Sequence, residues 1–393
     1  MGFASVLVVA MILGSLPTYA ISVLAPFVIE DLGVTRAAVG SLGTSVLFVA
    51  SLIAPRGGRL VDRFGGRTIL LWLFAVFAAG ASAMAAAPMF GYLLAATAVT
   101  GVSLALSNPV TNQLIALHVP VARQGWLVGI KQSGAQLSAV VAGSILPLAA
   151  LAWGWRSALL LAAVLGPVGM VLSLIVVPRN SSHEGDTRVM PMGASAGVVS
   201  YIRRLTLFGF LMASGGGMVV LFLPLYVYEW FEVGAGVAGL TAAIVGAVGA
   251  AARLVWGPIA GRFAALTMPL LVLATLAATA VALLLASTVA GFWLVWPAIV
   301  LFGVSGAAWN TPAMLAIIRV VGSDRAGHSS GAVMRGLYAG GVISPIVSGC
   351  LIDLTGSYAS AWCLSLAALG GAILTAVHLH RWARSNGVGV VPT

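Results

Sequence analysis

The chain has 393 residues, of which 61% are hydrophobic and 7% charged, with a formal net charge of +10. Soluble domains carry about 25% charged residues, so a water-surrounded globular core is excluded and a polytopic membrane protein is expected. Most of the positive charge falls in short loops between apolar runs, which is topology information and not a groove for nucleic acid.

A membrane-spanning helix takes about 20 mainly apolar residues. Cutting the sequence at charges and turn residues predicts twelve spans: 3–29, 37–56, 68–87, 89–117, 126–150, 157–178, 205–229, 237–258, 266–286, 291–318, 328–350 and 359–380. The first begins almost at the N-terminus without an A-x-A-like cleavage site, so it is read as a helix and not as a removed signal. The longest polar stretch, 179–204, divides the chain into an N-terminal six-helix bundle (1–178), a linker, and a C-terminal six-helix bundle (205–393). With both termini in the cytoplasm, 14 arginines fall in inner loops and only Arg36 and Arg156 outside, so the positive-inside rule fixes that orientation. A multi-pass protein of the cell (inner) membrane, monomeric in the bilayer, is expected.

The two bundles echo each other in chain order. "LPTY" in span one ends in Tyr19, and "LPLY" in span seven ends in Tyr226. "GRLVDRF" follows span two, and "GPIAGRF" ends span eight. Asn108-Pro109 in span four is answered by Asn310-Thr311-Pro312 in span ten. "ARQGWLVGIKQSG" opens span five, and "DRAGHSSGAVMRG" opens span eleven. Four matches in register argue for a duplicated six-helix unit. Transporters built from repeats bind substrate near the midplane, between the halves.

Within this frame "GGRLVDRFGGRT" (57–68) resembles the loop 2–3 signature of the major facilitator superfamily. The matching positions are Gly58, Asp62, Arg63, Gly65 and Arg67; Gly66 stands where a basic residue is usual. Gly58 lets two helices approach, Asp62 is placed to meet an arginine or a helix N-terminus, and the turn at Gly65 needs a permissive backbone. The resemblance implies that this loop latches the halves and releases them as a carrier changes state. In the second half Gly261 stands where Asp62 would, so the charge latch is expected in the first. "GWRSA" (154–158) is a further family-like feature on the outer side.

Ionisable residues inside spans are costly and are functional candidates by default. Here all are basic. Lys131, the only lysine, lies about 8–10 Å inside span five, and Arg335 about 10–12 Å inside span eleven. Arg253 is about one turn from the inner end of span eight, where snorkelling to the surface competes with a cavity role. No carboxylate lies mid-span: Glu30, Asp31, Glu229, Glu232 and Asp353 are at outer helix ends and the other acids in inner loops. The expected completion is a small anionic substrate held by Lys131 and Arg335 as a pseudo-symmetric pair, with Arg253 at the inner side. Gln132, Asn108, Asn112, Asn310, Tyr19 and Tyr226 are the polar candidates to line its cavity, with Trp309 beside them.

"ARLVWG" (252–257) is similar to the span-eight stretch of the monocarboxylate and oxalate-formate branches, which implies a carboxylate contact for Arg253. "GIKQSG" is similar to span five of cyanate-permease-like carriers. The leading expectation is therefore a secondary carrier of a small organic anion, by proton symport or anion exchange. The alternative is a drug/proton antiporter of the same fold, disfavoured by the missing mid-span acid and by a span five without the pattern G-x-x-x-G-P-x-x-G-G. An intramembrane enzyme or a non-transporting sensor is less favoured: no catalytic residues, cofactor or metal site is read from the sequence, and Cys350, Cys363 and five histidines have no ligand spacing.

Overall fold

A computed structural model describes residues 2–178, 196–263, 265–321 and 323–386. The expected linker's residues 179–195, and the motif's Gly58 and Asp62 side-chain surroundings, lie outside the described residues. The helices are α1 (Gly2–Leu32), α2 (Arg36–Phe64), α3 (Gly66–Ala85), α4 (Phe90–His118), α5 (Val121–Trp153), α6 (Trp155–Ala163), α7 (Leu165–Val176), α8 (Ala196–Phe231), α9 (Ala235–Gly261), α10 (Thr267–Ala290), α11 (Val295–Val304), α12 (Asn310–Val321), α13 (Ser323–Thr355) and α14 (Tyr358–Ser385). Thr35 caps α2, its hydroxyl accepting from Ala38 N at 3.3 Å, and Ser357 caps α14 in the same way at Ala359 N.

Among the described residues eleven stretches are long and apolar enough to cross a membrane, α6 and α7 together forming one of them. The predicted span 291–318 is different, and this corrects the expectation of a continuous helix there. α11 stops at Val304 and α12 begins at Asn310, with residues 305–309 between them. Pro312 supplies one physical reason. In an unbroken helix its ring would press on the carbonyl four residues back, whereas here it sits in the first turn of α12, where no N–H is needed. Gly306 supplies another: the Phe302 ring folds against it, and a Cβ there would lie 2.3 Å from Phe302 Cε2.

Among the helices before the linker, α1 packs on α4 and α5, α2 on α4, and α3 on α4, α6 and α7. Among those after it, α8 packs on α13 and α14, α10 on α14 and α11, and α9 on α11. Three seams join the two sets: α5 with α9, α2 with α13, and α1 with α8. Lipid tails are as apolar as leucine, so such seams rely on close packing and on hydrogen bonds. At Gly143 an added Cβ would lie 2.3 Å from the Gly239 carbonyl oxygen, so α5 and α9 touch backbone to backbone. Ser22 Oγ donates to Val220 O at 2.9 Å, and Thr44 Oγ1 to Val342 O at 2.7 Å.

One end of the molecule is clamped by charge. Arg36 Nε donates to Glu229 Oε2 at 2.9 Å, and Tyr358 donates its hydroxyl to the same oxygen. The Asp353 carboxylate caps the start of α2 across the seam, accepting from Arg36 N at 3.1 Å and Ala37 N at 2.7 Å. Arg156 of the GWRSA stretch pairs with Asp31 at 2.6 Å and donates to Ala87 O, fastening α6 to the end of α1. Toward the other end α5 and α9 are looser among the described residues: nothing lies within 4 Å of a Cβ at Gly129, Trp126 is 71% exposed, and a Cβ at Gly257 would meet only Thr311 Cγ2, at 4.0 Å.

The turn at Gly65 takes the conformation the motif demands, φ 80° and ψ 149°, a region essentially restricted to glycine. Its N–H closes α2 on Val61 O at 2.9 Å, and α3 starts at the next residue. Gly66, the departure from the motif, has a packing reason: a Cβ there would lie 2.7 Å from Leu114 Cδ2 on α4. Arg67 reaches Leu174 O at 3.0 Å, and Arg63 lies 5.2 Å from the Phe64 ring centroid. Gly65→Ala is expected to cost about 1–3 kcal/mol, read as a lower melting temperature of the detergent-purified protein. An unchanged melting temperature would contradict the strain assigned to this turn.

Candidate functional site

α4 and α5 bring the first part of the site together. Lys131 is fully buried, and its ammonium donates to Thr111 Oγ1 at 2.7 Å and Asn108 Oδ1 at 3.4 Å. Gln132, the next residue, donates to the same Asn108 oxygen at 3.3 Å. Thr111 in turn donates to Ser107 O at 2.6 Å, which orients its oxygen toward the ammonium. The partners of Lys131 among the described residues are thus neutral oxygens, an arrangement that leaves a buried cation electrostatically uncompensated.

The second part comes from α9 and the interrupted segment 305–309. Arg253 does not snorkel. Its Nε donates to Ala307 O at 3.0 Å, and its NH1 to Gln132 O on α5 at 3.1 Å. Both acceptors are backbone carbonyls, and one of them is available because the helix is interrupted there. Trp256 uses the same interruption, donating to Val304 O at 2.9 Å. Gln136, one turn along α5 from Gln132, donates to Ala307 O at 3.4 Å and accepts from the Tyr19 hydroxyl at 3.5 Å. A polar chain therefore runs from Tyr19 on α1 through Gln136, Ala307, Arg253, Gln132 and Asn108 to Lys131. It crosses the seam between α5 and α9 and contains two cations. The three ion pairs among the described residues are all at the Arg36 end.

Several expectations change. The companion of Lys131 in this chain is Arg253, not Arg335. Arg335 is exposed and has no hydrogen-bond or ion-pair partner among the described residues. Lys131 is itself covered by Asn108 and Thr111, whereas Arg253 is half-buried and the more accessible cation. Tyr226 is not brought to the site. It is fully buried, shares a 2.6 Å hydrogen bond with Ser287 on α10, and meets the Trp362 ring edge-on at 5.3 Å. Trp309 is 5% exposed and packs edge-on against Phe208, a core position. Asn112 is exposed, and Asn310 is half-buried at the start of α12. Thr111, a polar residue of span four expected to line the cavity, is brought to the site; not singled out as ligands beforehand are Gln136 and the Ala307 carbonyl. The signal for that carbonyl was Pro312 close behind Gly303 and Gly306.

A family profile described as Major Facilitator Superfamily matches residues 7–345. The chain belongs to that superfamily and is a multi-pass membrane protein. It is 32% identical over 139 residues to the methylenomycin A resistance protein of Streptomyces coelicolor, covering 35% of this chain and 29% of that one. It is 28% identical over 171 residues to the 4-hydroxybenzoate transporter PcaK of Pseudomonas aeruginosa, covering 44% of this chain and 38% of that one. The chain thus spans less than two-fifths of the length of these curated relatives. The crystal structure of a D-xylose-proton symporter has the same fold, with a TM-score of 0.79, 15% identity, and 97% of each chain covered.

Proposed function

We propose that the protein is a secondary carrier of a small organic anion, a carboxylate or sulfonate, working by alternating access between halves 1–178 and 205–393. The observation that carries this reading is the chain joining Lys131 and Arg253. The two cations come from opposite halves, and every hydrogen-bond partner they have among the described residues is a neutral oxygen. An anion entering between the halves supplies the missing charge, and Arg253 is the cation that meets it. Lys131 acts from behind Asn108, raising the positive potential and polarising that amide. With both termini cytoplasmic, the clamped Arg36 end faces outward and the looser end faces the cytoplasm. Arg335, exposed on α13, then stands on the inner approach and draws anions toward it. Proton symport or anion exchange completes the cycle. Similarity to a 4-hydroxybenzoate transporter supports the anion reading.

A second reading, export of a drug, is favoured by the similarity to a methylenomycin A resistance protein. Uptake by proteoliposomes separates the two. 4-Hydroxybenzoate, benzoate, glucuronate and sulfoacetate are offered as labelled probes, with a hydrophobic cation as the contrasting one. Saturable uptake of at least one anion, and none of the cation, is expected; the reverse pattern establishes drug export instead. Lys131→Met is expected to raise KM for the transported anion about tenfold by removing one charge-assisted donor behind the site. Its melting temperature should not fall, because the substitution removes a buried ion that has no counter-ion. A lower melting temperature with unchanged KM would mean that Lys131 only packs.

A further inference from the structure

Gln136 is 6% exposed, yet its side chain is held at both ends. Its oxygen accepts from Tyr19 on α1, and its nitrogen donates to Ala307 O in the interruption between α11 and α12. α9 is shaped to receive it. Gly246, Gly249 and Arg253 recur at three and four residues, so they share one helix face. A Cβ at Gly246 would lie 2.6 Å from the Gln136 carbonyl oxygen, and one at Gly249 3.3 Å from its Oε1. The two glycines clear a groove in which the amide lies, and Arg253 occupies the next turn of that groove. The same Ala307 oxygen accepts from Gln136 Nε2 at 3.4 Å and from Arg253 Nε at 3.0 Å.

We propose that Gln136 is a positioning residue for anion recognition, acting through the Ala307 carbonyl on Arg253. The assignment rests on the anion-carrier reading. The peptide plane of the Ala307 carbonyl is set in its own segment, where Ala308 N donates to Ser305 O at 3.0 Å, and its oxygen accepts from side chains of α5 and α9. The amide of Gln136 pins this carbonyl to α5, and the pinned oxygen fixes the plane of the guanidinium. A guanidinium is a rigid fork of five donors, and the Ala307 and Gln132 carbonyls engage Nε and NH1. The NH2 edge is left to face a ligand. Tyr19 fixes which way the Gln136 amide is turned, since its hydroxyl gives a proton to the oxygen and leaves the nitrogen for Ala307. The anion site therefore draws its geometry from α1, α5, α9 and the α11–α12 interruption, and from both halves at once.

The test uses the full-length carrier in proteoliposomes and the best-transported of the four anionic probes. Gln136→Leu keeps the bulk and removes the donor. It is expected to raise KM about tenfold, the loss of one hydrogen bond to the carbonyl that aims a charged group, with kcat within about twofold. Gln136→Glu offers an oxygen instead of a donor to Ala307 and a competing anion to Arg253, so a larger rise in KM is expected at neutral pH. At acid pH the introduced carboxyl is protonated, donates as the amide did, and restores KM toward wild type. The titratable groups around it are Tyr19 from α1, Arg253 from α9 and Lys131 on α5, so the wild-type pH profile serves as the baseline. Unchanged KM in both variants overturns the assignment, and so does a KM in Gln136→Glu that follows the wild-type pH profile. If wild type takes up none of the anions, the carrier reading itself is overturned, and this assignment with it.

Discussion

Arg253→Gln will reduce kcat/KM for anion uptake by about a hundredfold, while the protein still folds and inserts. Glutamine retains one donor that reaches toward the Ala307 carbonyl, so the interruption between α11 and α12 keeps a partner. What disappears is the one cation of the polar chain that is both half-buried and aimed across the seam. A hydrogen bond to a charged group contributes about 1.5–3 kcal/mol, and its loss in a partly desolvated cavity falls at the upper end of that range, roughly a hundredfold. Uptake of the anionic probes in proteoliposomes checks this, with melting temperature as the control for folding. Uptake within about twofold of wild type would falsify the placement of the anion at Arg253. The same substitution at Arg335 should be milder, because Arg335 is exposed and joins no part of the chain.

The second large effect concerns the clamp. Asp353→Asn preserves shape but removes the charge that sits on the N-terminus of α2 and beside Arg36. The carboxylate takes two backbone N–H groups of α2, at 3.1 and 2.7 Å, and Arg36 NH1 lies 3.6 Å from it. An asparagine has one acceptor oxygen and turns its NH2 toward donors that it cannot satisfy. The loss is about 1–2 kcal/mol, combining a helix-terminus interaction with a charge-assisted hydrogen bond at a site where Asp353 is 21% exposed. That shifts the balance between closed and open at this end by a factor of about 5–30. Spin labels at Glu30 and Leu354, both exposed on opposite sides of the seam, read the change as a longer-distance population. The native Cys350 and Cys363 are exposed and free, so both are replaced first. Coincident distance distributions for wild type and variant would show that Asp353 does not hold the end closed. Arg36 alone is a weaker lever, since Glu229 keeps Tyr358 as a partner when it is removed.

Much of the fold was legible in the residues because the bilayer imposes strong one-dimensional rules. Every backbone polar group must be satisfied inside a span, so long apolar runs become helices and charges become boundaries. Eleven of the twelve predicted spans correspond to helical stretches long and apolar enough to cross. Gly65 was readable because a two-helix turn without room for a loop needs a glycine-only conformation, and the sequence places a glycine there. The departure at Gly66 was not readable, because its cause is a leucine 48 positions away on another helix.

The site was legible in its chemistry and not in its geometry. Composition and spacing alone set the excess of basic residues in the spans, the absence of mid-span carboxylates, and the polar stretch around Lys131. Depth along the helix then ranked Lys131 and Arg335 first, since rise per residue is all a linear sequence offers. Direction around the helix axis, which depth does not contain, sets which side chains meet. Arg253 turns inward because Gly246 and Gly249 bring α9 against α5 and because an interrupted helix leaves a carbonyl to receive it. Lys131 is covered by Asn108 and Thr111, Arg335 is exposed, and Tyr226 is absorbed by an aromatic cluster with Trp362. The amino-acid sequence by itself determined a series of apolar spans whose interior ionisable residues are all basic, because charge and hydropathy act locally. Only the tertiary structure decided which cations meet, because that depends on backbone contacts between α5, α9 and residues 305–309 that no single segment encodes.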